Sequence, residues 1–111
     1  MSLITLTTDF GQRDGFVGIM KGVILGIFPQ ACLIDLSHEV EPQNVRQAAY
    51  ILQRAAPFFP PSTVHLAVVD PGVGTERRAL AARLGKQFFV GPDNGLITLL
   101  LAHAESQGER I

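Results

Sequence analysis

Several apolar runs in this 111-residue chain end on groups that can do chemistry. The run Leu3–Thr8 stops at Asp9 and is followed by Phe10-Gly11. A second run leads into Asp35-Leu36-Ser37-His38-Glu39. A third, Leu66–Val69, stops at Asp70, and Pro71-Gly72, Gly74, Arg77 and Arg78 follow. A fourth leads into the stretch "VGPDNG". A carboxylate at a strand end can accept from two vicinal hydroxyls, so Asp9 is suited to a ribose diol, or else to capping a helix or turn. Asp70 with Arg77 can position and polarise a water, because a guanidinium keeps the acid ionised and favours a hydroxide-like nucleophile. An ordinary loop acid with surface arginines has the same residues, and Arg78 competes with Arg77 for the partnership. The "PGVGT" loop can aim backbone N–H groups at an anion or simply turn tightly. It has neither the Gly-Lys-Ser/Thr ending of a P-loop nor the spacing of a dinucleotide turn.

These groups need elements to hold them. "LITLTTD" reads as a β-branched strand and "CLIDLS" as a second. "TVHLAVVD" reads as a third, apolar enough to be buried on both faces. "ALAARL" and "QFFVG", joined through Gly85-Lys86, read as a strand pair. Between them, Phe16, Ile19, Met20, Val23, Ile24 and Ile27 recur at helical spacing, which predicts an inward face on a first helix ended by Pro29. Val45, Ala48, Ala49, Leu52 and Ala56 do the same for a second helix with Pro42 near its start. "NGLITLLLAHAES" predicts a third, capped by Asp93 or Asn94. Strands alternating with helices predict one α/β domain over residues 1–111, with a mostly parallel sheet between helices. In such sheets ligands bind beyond the carboxyl ends of the strands, where Asp9, His38 and Asp70 fall.

Composition narrows the possibilities. Hydrophobic residues make up 47% and charged residues 17%, with a net charge of −1, so the chain carries a core and no basic footprint for nucleic acid or an acidic membrane. Cys32 is the one cysteine, which rules out an internal disulfide and fits a reducing compartment. The N-terminus has no basic and apolar leader pattern, and no run reaches the ~18 apolar residues of a membrane span, so the expected location is cytoplasmic. His38, His65 and His103 have no metal-ligand spacing, and no metal site is expected. His65 and His103 read as structural; His38 is open. Arg110-Ile111 reads as the start of a further strand, so the chain is expected to be part of a longer protein, the alternative being a frayed C-terminus.

Four blocks, "TLTTDFGQRDGFVGIMKGVI", "IDLSHEVEPQNVRQAA", "VHLAVVDPGVGTERR" and "VGPDNGLIT", together resemble the S-adenosyl-L-methionine hydroxide adenosyltransferases, hydrolytic relatives of fluorinase and chlorinase. The resemblance covers nearly all of the chain. It implies hydrolysis of S-adenosyl-L-methionine (SAM) to adenosine and L-methionine, with SAM as substrate and no cofactor. It implies an N-terminal domain followed by a β-rich C-terminal one, and homotrimers whose substrate lies between subunits. Asp70 and Arg77 match two members of the family's catalytic Asp, Arg and His set; the His lies beyond Ile111, and none of the three histidines here matches it. Asp9 matches the acid on the ribose hydroxyls. Gln43 falls where fluorinase has a substrate-contacting tryptophan, and Gly72 and Val73 belong to the loop that approaches the substrate. In halide-using relatives an aromatic stands at the Asp70 position and, in fluorinase, a hydroxyl-bearing residue at Val73. A carboxylate at position 70 repels a halide and accepts a water proton, so hydrolysis is favoured over halogenation. The alternatives are a SAM- or adenosine-binding module without turnover, a SAM-dependent halogenase, and a structural assembly domain.

Overall fold

The structure, a computed structural model, describes residues 2–70 and 78–111. Five strands form one sheet: β1 (Ser2–Thr8), β2 (Ala31–Ser37), β3 (Val64–Val68), β4 (Ala79–Leu84) and β5 (Gln87–Pro92). Their order is β2-β1-β3-β5-β4, parallel except for the antiparallel edge strand β4. Three helices, α1 (Phe16–Ile27), α2 (Val45–Ala55) and α3 (Thr98–Ser106), complete the expected α/β architecture. From β1 the chain steps outward to β2, then crosses back past β1 to reach β3. Right-handed crossovers in opposite directions put their helices on opposite faces of the sheet.

Register assigns the faces. Thr5 pairs with His65 and Thr7 with Ala67, so these share one face; Leu6, paired with Leu66 and Asp35, lies on the other. The first face carries the core. Ala67, Val69 and Phe89 pack there with Ala48, Leu52 and Ala56 on the α2 side and with Leu100 and Ala104 of α3. Burying one such leucine or phenylalanine contributes about 1.5–3 kcal/mol. The predicted inward face of α2 is buried, apart from a half-buried Val45. Gly91 is required where β5 nears β3: a Cβ there would lie 2.8 Å from the Ala67 carbonyl oxygen and 2.8 Å from the Phe89 ring.

The other face is only partly covered, which corrects two expectations. Val64, Leu66 and Val68 of β3 are half-buried rather than enclosed. On α1, Phe16, Ile19, Val23 and Ile27 are exposed, and Val17 is the residue that is buried. Val17, Met20, Lys21 and Ile24 make the seam instead, and Lys21 Nζ donates to Asp35 Oδ2 at 2.9 Å. The seam of a helix apolar nearly all round therefore includes a charged partner on β2. Two smaller expectations also change. α2 begins at Val45 behind Asn44, whose Oδ1 accepts from Gln47 N at 3.0 Å, and Pro42 precedes the cap. Arg110 and Ile111 lie outside any strand.

A buried polar chain ties the sheet to the end of α2. Gln87 Nε2 donates to the carbonyls of Ala56 (3.0 Å) and Phe59 (2.8 Å), which turns its Oε1 toward His65 Nε2 at 3.0 Å. His65 Nε2 therefore carries the proton, and Nδ1 accepts from the Thr5 hydroxyl at 2.7 Å. Burial lowers the His65 pKa below its ordinary 6.5, outweighing the opposing hydrogen bond to Gln87. The unfolded chain therefore takes up the proton first on acidification. His65 contributes stability in full above about pH 6.5, and that contribution is lost as pH falls toward the depressed folded value. Denaturation with urea should show a lower midpoint at about pH 5 than at about pH 7, and His65→Gln should remove this residue's share of the difference.

Candidate functional site

The carboxyl ends of β1 and β3 lie side by side, with Thr8 opposite Val68 in parallel register. Asp9 follows β1 directly, and Asp70 stands two residues beyond the end of β3. Adjacent strands are about 4.8 Å apart, so both acids leave the same edge at neighbouring positions. Between these strands the chain's direction of winding reverses, the crevice where open α/β sheets bind ligands. The expected convergence of strand ends is thus met for Asp9 and Asp70. Arg77, Gly72 and Val73 lie outside the described residues, as does the rest of 71–77. Arg78 is exposed just ahead of β4, and its carbonyl accepts from Asp93 N at 2.9 Å.

Asp9 is half-buried and is held by a backbone group. Its Oδ2 accepts from Gln43 N at 2.7 Å. Gln43 has a φ of 61°, a left-handed conformation that is unfavourable for a residue with a Cβ. The carboxylate acceptor is what favours that turn, and the Gln43 side chain is exposed. The turn-capping reading of Asp9 is therefore realised at one oxygen, while Oδ1 makes no hydrogen bond among the described residues.

Around Asp9 the strand ends are cross-braced. The His38 side chain is fully buried; Nε2 lies 2.7 Å from Asp35 Oδ1 and Nδ1 lies 2.8 Å from Thr8 Oγ1. Burial raises the pKa of Asp35, but hydrogen bonds from His38 and Lys21 outweigh it and hold the carboxyl below its usual 3.8. The Thr8 hydroxyl oxygen also accepts from Phe10 N at 3.2 Å, and Gly11 N donates to the His38 carbonyl at 2.8 Å. Gly11 takes a φ of 71°, which suits glycine. Asn94 braces the other acid. Its Nδ2 donates to the Val69 carbonyl at 2.9 Å and its Oδ1 accepts from Leu96 N at 3.2 Å. Asn94 does not cap α3, whose first residue is Thr98 and whose start has no side-chain cap. Sequence reasoning missed this role because Asn94 and Val69 follow different strands and are far apart in the chain.

A cavity of about 640 Å³ opens at the opposite, amino edge, among Pro61, Lys86, Gln87, His103 and Arg110. It does not coincide with the carboxylates, and we place the candidate site with the strand ends and their braced acids. His103 lies on the last turn of α3, where a positive charge suits the helix dipole. Among the described residues no cluster of three His, Cys, Asp or Glu side chains is arranged to hold a metal. No helix there is long and apolar enough to cross a membrane.

The model of the SAM hydroxide adenosyltransferase N-terminal domain matches residues 4–111. The chain belongs to this family. A relative from Methanocaldococcus jannaschii, an (R)-S-adenosyl-L-methionine hydrolase, is 50% identical over 103 residues, covering 88% of this chain and 39% of the relative. A hydrolase of the same name from Thermus thermophilus is 50% identical over 99 residues, covering 89% and 38%. A fluorinase from Actinopolyspora mzabensis is 27% identical over 122 residues, covering 89% and 41%. Among solved structures, a conserved protein from Thermotoga maritima superposes with a TM-score of 0.87 at 49% identity, over 96% of this chain and 40% of that one. The chain thus spans about two fifths of the length of these relatives.

The bracing of Asp70 through Asn94 is open to a direct check. Asn94→Ala leaves the Val69 carbonyl and the Leu96 amide without their partner. Thermal or urea denaturation should show a loss of about 1–3 kcal/mol.

Proposed function

We propose that the full-length protein hydrolyses S-adenosyl-L-methionine to adenosine and L-methionine, and that this chain is its N-terminal α/β domain. One observation carries the reading: Asp9 and Asp70 stand at adjacent strand ends, at the point where the chain reverses its winding. One acid then holds the ribose while the other faces the reacting carbon. The greater identity to SAM hydrolases than to fluorinases supports the same conclusion.

In this reading Asp9 binds the ribose diol through the carboxylate edge that Gln43 N leaves open. Asp70 orients a water in line with the C5′–S bond. The water oxygen attacks C5′ as that bond breaks, and the electron pair goes to the sulfonium sulfur, which leaves as the neutral thioether of methionine. The water's proton passes to Asp70 and on to solvent. Arg77 keeps Asp70 ionised and stabilises the hydroxide-like charge. Gly72, Val73 and Gln43 are taken as substrate-contacting residues on the family resemblance. The leaving group is neutral and no electrons are exchanged with a carrier, so the reaction requires no metal or redox cofactor. The family's histidine, beyond Ile111, completes the set. The exposed Phe16, Ile19, Val23 and Ile27 of α1 supply apolar surface for a homo-oligomer, a trimer in this reading. The unpaired Cys32 fits a cytoplasmic location.

Chromatography of SAM reactions with chelator present tests the mechanism. Asp70→Asn or Arg77→Ala in the full-length protein should slow adenosine formation by about 10²–10³. Asp9→Ala should chiefly raise KM, because a ribose contact acts in ground state and transition state alike. Wild-type turnover in Asp70→Asn would remove the acid from the mechanism. Faster formation of 5′-chloro-5′-deoxyadenosine than of adenosine in chloride would make the protein a halogenase, and binding without either product would make it a binding module. Sedimentation velocity should show the full-length protein as a trimer, and a clean monomer would refute the assembly.

A further inference from the structure

Asp35, His38 and Thr8 form a directed chain with no spare hydrogen-bonding group. The Phe10 amide donates to Thr8 Oγ1, so the Thr8 proton is available for His38 Nδ1, and His38 Nε2 then donates to Asp35. His38 has no exposed side-chain surface, whereas Asp35 is 38% exposed and is held in place by Lys21. The chain therefore starts at an anchored surface carboxylate, passes through a buried ring, and ends on the peptide that follows Asp9. The His38 backbone adds a second hold, since its carbonyl accepts from Gly11 N. Both amides after Asp9 are thus fixed from His38, one through Thr8 and one directly. The Asp9 carboxylate is fixed separately by Gln43 N. With peptide and carboxylate both held, the side chain keeps one orientation.

We propose that Thr8, His38 and Asp35 are positioning residues that set the direction in which Asp9 presents its open oxygen to the ribose hydroxyls. The proposal rests on the reading of Asp9 as the ribose-binding acid. It makes discrimination between a ribose and a 2′-deoxyribose a property of this buried relay as much as of Asp9. A site arranged to hydrogen-bond a hydroxyl rejects the analogue lacking it only while its acceptor is held in place.

Titration calorimetry of the full-length protein with adenosine and with 2′-deoxyadenosine separates the possibilities. The wild type should prefer adenosine by roughly ten- to a hundredfold, the range of a hydrogen bond to a charged acceptor. Thr8→Val and Asp35→Ala should each weaken adenosine and leave 2′-deoxyadenosine nearly unchanged, shrinking the preference toward unity. Thr8→Ser, which restores the hydroxyl, should restore it. Thr7→Val makes the same change one residue earlier, at a buried hydroxyl without a hydrogen-bond partner, and should leave the preference intact. In turnover, Asp35→Ala should raise KM for SAM with kcat changed less than about twofold. Equal weakening of both nucleosides, or an unchanged preference in Thr8→Val, would overturn the relay while leaving Asp9 on the ribose. If Thr8→Val does not fold, Asp35→Ala, at an exposed carboxylate, decides by the same ratio. A wild type that binds both nucleosides alike would take Asp9 off the ribose, and the relay with it.

Discussion

The parallel pairing of β1 with β3 is the constraint on which the candidate site depends. Its register sets Thr8 against Val68, and only that alignment brings Asp9 and Asp70 off one edge together. A slip of one residue would send each side chain of β1 to the opposite face. Thr5 would lose His65, Leu6 would leave the α1 side for the α2–α3 side, and the carboxylates would separate along the strands. The register is held by a buried side-chain pair as well as by the ladder. Thr5 bonds His65, and His65 bonds Gln87 of β5, which locks three strands and the end of α2 at once.

The two faces of the sheet have different tasks. On the α2–α3 side, apolar packing closes around Phe89 and Leu52. On the α1 side, beside the buried Leu6 and Val17, the sheet carries Asp35 and Thr8, which His38 joins through hydrogen bonds. A satisfied polar network specifies one geometry more sharply than apolar contact does, because each donor has a single acceptor within reach. Its position under the Asp9 turn fits a demand for orientation rather than for burial. The exposed apolar flank of α1 belongs to the same side. A helix with apolar residues nearly all round is satisfied only by contacts on more than one side.

Backbone strain also falls at the site, although Ser62, at φ 71° beyond the opposite edge of the sheet, shows it there too. Gln43 at φ 61° and Gly11 at φ 71° both lie in turns that contact the strand ends carrying Asp9 and His38. The Asp9 carboxylate compensates Gln43, so the acid has a structural role alongside any role in binding. The competing readings of that residue, turn acid and ribose acid, are therefore compatible: the turn engages one oxygen of the carboxylate and not the other.

Much of this was legible in the chain alone. The β-branched runs, helical spacings and proline stops gave five strands and three helices in the right order, because those patterns reflect local periodicity and backbone sterics. The acids at the ends of the first and third runs marked the candidate edge, since the strand-end rule needs only element boundaries. Family membership was legible from the four blocks and is matched over residues 4–111. The rest depended on tertiary structure. The exposed flank of α1 is one such feature, and so is the Lys21–Asp35 pair on its seam, a charge pairing across elements that apolar spacing does not encode. Asn94 bonded the end of β3 rather than capping its own helix, and His38 joined Asp35 to Thr8, contacts whose partners are far apart in the chain or on different elements. Periodicity reports which residues prefer burial. Which polar group meets which is decided only when the strands take their order and register, and at this edge those pairings orient the acids.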